Sequence, residues 1–294
     1  MKRILVLGDL NLDVFVRDDT EVAEGAEVRS VVRAQAGGSA GTFARFAAAH
    51  GAEVAFIGTV GEDRVGDLLE RSLVDAGVIP HLARSSMPSG VIVALHRGSE
   101  RSMICSRGAN DDTSVEAIEP ELLEAADHLH VSGYALLSEA QWPAVTRAFA
   151  LAARGNASLS VDPPPANLIE AFGVARFLDR IPESCWLFPN ETEGRILTGE
   201  TAHDRIVTRL AIRSEAGALT LGASGSLAWH GDERHAQTTS PLESVDTTGA
   251  GDAFAGAFVA SFVALADLTE AHRRAGNAAR TRLLQGSASR PERP

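Results

Sequence analysis

Lysine is almost missing from this chain: of its 294 residues, only Lys2 carries an ammonium side chain. That absence excludes a G-x-x-x-x-G-K-[S/T] phosphate loop, an internal Schiff-base lysine and a protein-kinase-type lysine contact. Any phosphate handled here must be neutralised by arginine, backbone N–H groups or a divalent ion. Cysteine is scarce too. Cys105 and Cys185 have no metal-ligand spacing and read as reduced thiols of a cytoplasmic protein. No apolar run is long enough to span a bilayer. The short run Ile4–Leu7, cut by Gly8 and Asp9, reads as a first strand and not as a signal peptide. Positive charge is in deficit, and a net charge of −12 argues against nucleic acid or an anionic membrane as partner.

What is present is an ordinary globular composition, 45% hydrophobic and 22% charged, long enough for one large α/β domain or two small ones. The order of patterns favours one. A buried strand at 3–8 is followed by Asp9, Asn11 and Asp13 at alternate positions, which share a face if the strand continues. They could hold sugar hydroxyls or lie in a solvated turn. Residues 14–34 alternate weakly and carry many charges, as a half-exposed β region does. Gly37-Gly38-Ser39-Ala40-Gly41 then opens a helical pattern over Thr42–His50. A strand at Glu53–Ile57 leads into Gly58–Asp63, and a helix runs to Ala76 and stops at Gly77.

Residues 89–106 break the rhythm with two strands, Val91–His96 and Arg101–Ser106, paired around 97–100. With 14–34 they could form a small lid over the strand ends, closed by Arg107–Asn110. Alternation resumes with strands at 127–131, 157–161 and 185–188, and helices at 138–153, near 166–173 and from Glu191. Strands at 217–221 and 225–230 follow, then a helix to about Ala266 and a last helix near 269–284. The tail from Ser287 reads as poorly ordered. Strand–helix alternation predicts a largely parallel sheet, whose ligands sit at the carboxyl ends of the strands. The polar clusters at 9–13, 37–41, 107–110, 190–193, 220–225 and 246–252 all fall after strands.

The chain is organised around Val245–Phe258. Asp246 to Asp252 is small, polar and glycine-rich, and an alanine-rich apolar helix follows. A glycine turn opening a helix leaves N–H groups unpaired at the positive end of the dipole, which suits phosphate. A carboxylate inside that turn, Asp252, would repel a resting phosphate, so it is better explained as a base taking a proton from an attacking hydroxyl. The N–H groups of Ala250, Gly251 and Asp252 would then hold the developing charge. The same residues also fit a buried helix with an acidic N-terminus. Pro189–Glu193 is likewise double: Asn190 and Glu193 form a capping-box pattern, or they organise Mg2+ and its waters. Thr220–Gly225 allows close approach of backbone to a ligand, or a tight hairpin.

Taken together, the chain resembles the ribokinase-like sugar kinases, the PfkB carbohydrate kinase family. Asp246-Thr247-Thr248-Gly249-Ala250-Gly251-Asp252 matches its C-terminal signature and Asn190-Glu191-Thr192-Glu193 its N-x-x-E motif. Gly8–Asp13, Gly37-Gly38, Gly58–Gly66 and Gly108-Ala109-Asn110 match further landmarks in order, over almost the whole chain. The resemblance implies a single domain over 1–294: a three-layer α/β/α core with a mostly parallel sheet, and a small β lid from about 12–35 and 88–107. It implies transfer of the ATP γ-phosphate to a hydroxyl of a sugar, or of a nucleoside. Asp252 would be the base and the turn Gly249, Ala250, Gly251, Asp252 the anion hole. Asn11, Asp13, Gly37, Gly38, Ser39, Gly41 and Thr42 would hold the substrate. Asn190, Thr220, Gly222, Gly225, Thr247 and Asn277 would lie near ATP, Glu193 and Asp246 near metal, with Mg2+ required and a monovalent cation (K+) near Asp246. A homodimer through exposed lid edges is a further expectation.

One residue departs from the family pattern. Where the first signature usually places asparagine five residues after its first glycine, this chain has Thr42, which cannot donate an amide N–H. Arg101 and Arg107 fall on the expected lid, either as a solvated face or as contacts to a substrate anion. Three rival readings are open to test. Gly37-Gly38-Ser39-Ala40-Gly41 also fits G-x-S-x-G, which would make Ser39 a hydrolase nucleophile served by His235 or His272. Gly249-x-Gly251 continues to Phe254, where a dinucleotide fingerprint needs glycine or alanine. The histidine pairs 128/130 and 230/235 could be metal ligands or ordinary strand and turn residues.

Overall fold

A computed structural model of the chain describes residues 1–17, 27, 30–97, 100–240, 242 and 247–288. Thirteen strands occur among them: β1 (Arg3–Leu7), β2 (Asn11–Arg17), β3 (Val31–Gly37), β4 (Glu53–Gly61), β5 (Val78–Ser85), β6 (Gly90–Arg97), β7 (Glu100–Ser106), β8 (His128–Ser132), β9 (Ser158–Asp162), β10 (Trp186–Leu187), β11 (Ala216–Thr220), β12 (Ser226–His230) and β13 (Glu233–Gln237). Nine form one sheet in the order β13-β12-β11-β10-β9-β8-β1-β4-β5. From β11 to β5 every pairing is parallel; β12 and β13 add an antiparallel edge.

The central strands β1 and β4 are buried on both faces, so their sequences are largely apolar runs. In β1, Leu5 and Leu7 join one core with Val145 and Phe149 of helix Trp142–Arg154 and Leu210 of helix His203–Arg213. Ile4 and Val6 join a second core with Phe43, Phe258 and Ala271, from helices Ser39–Ala49, Ala250–Leu265 and Leu268–Ala288. Helices on both faces make the three-layer α/β/α fold. Every residue from Ala253 to Phe262 is buried, which is why that helix shows no polar face. Gly256 lies where it crosses helix Ser39–Ala49. A Cβ there would overlap the Phe43 carbonyl oxygen, so only glycine lets the two backbones approach this closely.

The other four strands form a second sheet, β3-β2-β6-β7. The chain leaves β1 through Gly8, Asp9 and Leu10 and enters β2 at Asn11, so the two sheets join at the carboxyl end of the central strand. The expected β6–β7 hairpin is present, with Val91 opposite Ser106 and His96 opposite Arg101; residues 98–99 of its turn lie outside the described residues.

Several boundaries differ from the sequence reading. β4 continues through Gly58–Gly61 instead of turning there, because β5 pairs with it from Val54↔Val78 to Gly61↔Ser85. β5 was not expected: it is an edge strand containing Pro80, and its sequence shows no clean alternation. Helix His203–Arg213 and the polar edge strand β13 were not expected either. Helix 138–153 begins only at Trp142, beside Pro143, and the last helix reaches Ala288. Residues 289–294 of the tail lie outside the described residues. No helix among the described residues is long and apolar enough to cross a membrane.

Candidate active site

Parallel strands deliver their carboxyl ends to one edge of the sheet, and the polar residues expected there meet. Asp9, buried just beyond β1, ties three segments together. Its Oδ1 accepts from the Ser132 hydroxyl at 2.8 Å; its Oδ2 accepts from Ser39 N at 3.0 Å and from Asn11 Nδ2 at 3.1 Å. Ser39 N is the first amide of its helix, and the N-cap, Gly38, has no side chain to satisfy it. Asp9 therefore caps that helix from another strand. Asn110 fixes the opposite flank: its Oδ1 accepts from Leu10 N at 2.9 Å, and its Nδ2 donates to Leu10 O at 3.1 Å and to Asn11 Oδ1 at 2.8 Å. Asn11 is thus held by partners on both sides.

Helix Ala250–Leu265 brings Asp252 to the same place. Gly249, at φ 76°, makes the left-handed turn that opens the helix. Ala250 N is engaged with Thr247 O at 3.2 Å, and the helical ladder starts with Ala253 N donating to Gly249 O at 3.0 Å. The amides of Gly251 and Asp252 precede that ladder and have no backbone partner among the described residues, whereas Ala250 N, the third amide expected there, is engaged. A Cβ on Gly251 would meet nothing within 4 Å, so the space above the turn is open.

Ser39 Oγ donates to Asp252 Oδ1 at 2.7 Å. Burial raises the Asp252 carboxyl to about 6, opposed by hydrogen bonds from Ser39 and Asp162. Asp162, the last residue of β9, is pushed well above the ordinary range by burial and by the nearby charges of Asp252 and Glu193. Burial and the neighbouring charges thus bias protonation toward Asp162 and make Asp252 the more readily ionised of the two. Asp162 was not picked out from the sequence. Its signal was a lone carboxylate ending a buried strand at the edge where the other clusters gather.

Asn190 and Glu193 form the full capping box: Glu193 N donates to Asn190 Oδ1 at 3.0 Å, and the Glu193 carboxylate accepts from Asn190 N at 2.9 Å and Asn190 Nδ2 at 2.6 Å. Burial nevertheless pushes Glu193 to about 7, with Asp252 adding to the effect. Capping and proximity to the base are both realised. Asp13 is buried against Gly37, and burial, reinforced by Asp9, raises it to about 7. Two arginines absent from the expected set, Arg45 and Arg282, offset Asp13, and Arg282 also offsets Asp252. The side chains of Arg282 and Thr42 converge over Gly249: a Cβ there would lie 3.2 Å from Arg282 Nε and 3.4 Å from Thr42 Cγ2.

The candidates for a nucleotide lie further along the edge. Thr220 N donates to Pro189 O at 3.0 Å, which places Thr220 beside Asn190. Gly222 is exposed with open space around it. Gly225 and Gly276, the neighbour of exposed Asn277, both close on Gln237 of β13. Thr247 is exposed ahead of the turn, and Asp246 lies outside the described residues. Arg107 pairs with Asp111 at 2.7 Å and lies 5.6 Å from the Tyr134 ring. The Arg101 side chain also lies outside the described residues.

The rival constellations are not assembled. Ser39 bonds a carboxylate and not a histidine, while His272 bonds Ser226 at 2.6 Å and His235 at 2.8 Å. His128 and His130 are buried and bond the hydroxyls of Ser158 and Ser160, with burial holding both well below the usual histidine range. No cluster of three metal-ligating side chains occurs among the described residues.

Comparison with known proteins gives the family and the fold. The family described as pfkB family carbohydrate kinase matches residues 1–293. A fructokinase-1 of Oryza sativa subsp. japonica is 32% identical over 254 residues, covering 81% of this chain and 76% of its own. Among solved structures, the adenosine kinase of Sinorhizobium meliloti superposes with a TM-score of 0.85 at 23% identity, covering 97% of this chain and 94% of that one. A structure described as ribokinase II from E. coli in complex with ATP and Mg2+ superposes at 0.83 and 19% identity, covering 97% and 96%. At those identities the two superpositions establish the fold.

Proposed function

We propose, for a chain that belongs to the pfkB family of carbohydrate kinases and is thereby a phosphotransferase with an alcohol acceptor, that Asp252 is the base in a transfer of the ATP γ-phosphoryl group to a sugar hydroxyl. The observation that carries this reading is the junction of Asp252 with Ser39 and Asp162 below an open helix N-terminus. The acceptor O–H gives its proton to Asp252 as its oxygen bonds to the γ-phosphorus; the bond from phosphorus to the β,γ-bridging oxygen breaks and ADP leaves. Asp162, keeping its proton, holds Asp252 ionised and oriented. The amides of Gly251 and Asp252 face the charge that builds on the transferring group.

The acceptor side is formed by Asn11, Asp13, Gly37, Gly38, Ser39, Gly41 and Thr42, and ATP by Asn190, Thr220, Gly222, Gly225, Thr247 and Asn277. All-oxygen donors raised in pKa by burial suit a hard divalent ion, so Glu193 would hold Mg2+ through its waters, and Asp246 is the further candidate. When bound, the ion offsets phosphate charge that a chain with one lysine covers poorly. The second sheet is the lid, hinged where β1 passes into β2; its closure excludes water so that the acceptor hydroxyl receives the phosphate. Val31, Val32, Met103 and Ile104 stand exposed on its two edge strands, which supports a homodimer through the lid. Sedimentation should give twice the chain mass; a monomer at micromolar concentration rejects this part.

The acceptor class is tested by ATP consumption with D-ribose, D-fructose, a 2-keto-3-deoxy sugar acid and adenosine. Acceptor-dependent ADP release with at least one is expected. ADP release that ignores every acceptor removes the reading.

A further inference from the structure

Thr42 stands where a donor is missing, and Arg45, one helical turn on, points its guanidinium at the same place. Arg45 Nη2 donates to Ala36 O at 3.2 Å and to Thr42 Oγ1 at 3.3 Å. Its Nη1 is buried and has no hydrogen-bond partner. The Asp13 carboxylate has the complementary defect: Oδ1 is buried and also without a partner. Each group is the leading charged influence of opposite sign on the other, yet among the described residues no ion pair within 4.0 Å joins them. Gly37 makes room for Asp13, and Gly41 borders Arg45 at ordinary contact distance. A Cβ on Gly37 would fall on the Asp13 carboxylate, and one on Gly41 would lie 3.5 Å from Arg45 Nη1.

A buried donor and a buried acceptor, each open and each within reach of the other's charge, are costly unless something fills both. We propose that Arg45 is an acceptor-binding residue, and that Arg45 Nη1 and Asp13 Oδ1 hold one hydroxyl of the acceptor between them. The hydroxyl accepts from Nη1 and donates its proton to Oδ1, at about 2.8 Å to each. The ligand is therefore a polyol that carries this hydroxyl in addition to the one phosphorylated. Arg45 returns the N–H donor that Thr42 lacks, so threonine and arginine together replace the family's asparagine. Arg282, only 9% exposed and without an ion pair among the described residues, offsets Asp13 from another side. Charge balance alone therefore does not require Arg45 here. The inference rests on the kinase reading above.

The test uses whichever of D-ribose, D-fructose, the sugar acid and adenosine the wild type phosphorylates best, together with its monodeoxy analogues. Arg45→Met should raise the acceptor KM roughly 10- to 100-fold with the KM for ATP unchanged. One deoxy analogue should lose a similar factor in the wild type and nothing further in the variant. Adding Thr42→Asn to Arg45→Met should recover most of the loss, a rescue that repair of packing alone would not produce. Should Arg45→Met fail to fold, Arg45→Lys, which keeps a donor and a charge, should retain the preference for that same hydroxyl in weaker form. Penalties that add for every deoxy analogue, or a folded double variant no better than Arg45→Met, overturn the assignment while leaving the kinase reading intact. No turnover of any acceptor by the wild type overturns both.

Discussion

Asp252→Asn is expected to lower turnover by a factor of about 10² to 10⁴ while ATP affinity stays within a few-fold. The substitution is isosteric and keeps a carbonyl oxygen for Ser39 Oγ, which now donates at 2.7 Å. What it removes is the capacity to take a proton. Asp162, biased toward the protonated form by burial and by its neighbours, is a poor substitute. On the proposed reading ATP is held by other residues along the sheet edge, so nucleotide binding should survive. Unfolding would mimic the loss, so the variant should first show a wild-type melting temperature. Near-normal kcat in a folded variant would place the base elsewhere.

A second large effect is expected from Gly256→Val, which touches no ligand. The new side chain would drive into the Phe43 carbonyl, with Ala47 N next at 3.2 Å. Backbone cannot move aside as a flexible side chain can, so overpacking should cost about 1–3 kcal/mol or more. Because this glycine sets how closely the two helices cross, the substitution also moves Asp252 away from Ser39. Turnover well below the melting temperature should fall about 10- to 100-fold beyond the stability loss. Gly251→Ala supplies the contrast. Its Cβ meets nothing within 4 Å, so stability should hold while activity falls, because the methyl group occupies the space above the turn. Thermal melts alongside initial rates distinguish the two. A Gly256→Val protein as stable as wild type would show that the crossing is looser than described.

Strong local periodicity made most of the fold legible. β1, β8, β9 and β11 are short runs buried on both faces, and helix Ala250–Leu265 follows an unmistakable glycine turn. Strand β5 was hidden because an edge strand with Pro80 needs little apolar alternation, and β4 looked shorter than it is because its last four residues are held by that partner. For the site, residues whose placement is set by local turn chemistry could be read directly: Gly249, Asp252, Asn190 and Glu193. Those that act through contacts distant in sequence could not. Asp9 reaches Ser132, Asp162 reaches Asp252, and Arg282 comes to Gly249 from the last helix; nothing near any of them in sequence announces the partner. Arg45 was hidden for a different reason. On an amphipathic helix an arginine reads as solvent-facing, and nothing near Arg45 in sequence shows that its guanidinium bonds back to Ala36 and Thr42.

The pH dependence of kcat/KM for the acceptor tests the central claim most directly, because it reports ionisation in the free enzyme. Burial raises Asp252 to about 6 and Asp13 and Glu193 to about 7, and all three act as carboxylates, so the rate should be level only above about 7 and fall progressively more steeply as the pH drops through 6. In Asp252→Asn the small residual rate should fall less steeply below pH 6, because one of the three ionisations is gone. An acid limb that persists unchanged in the variant, or a wild-type rate that holds steady down to pH 4, would contradict the assignment of Asp252 as the proton acceptor.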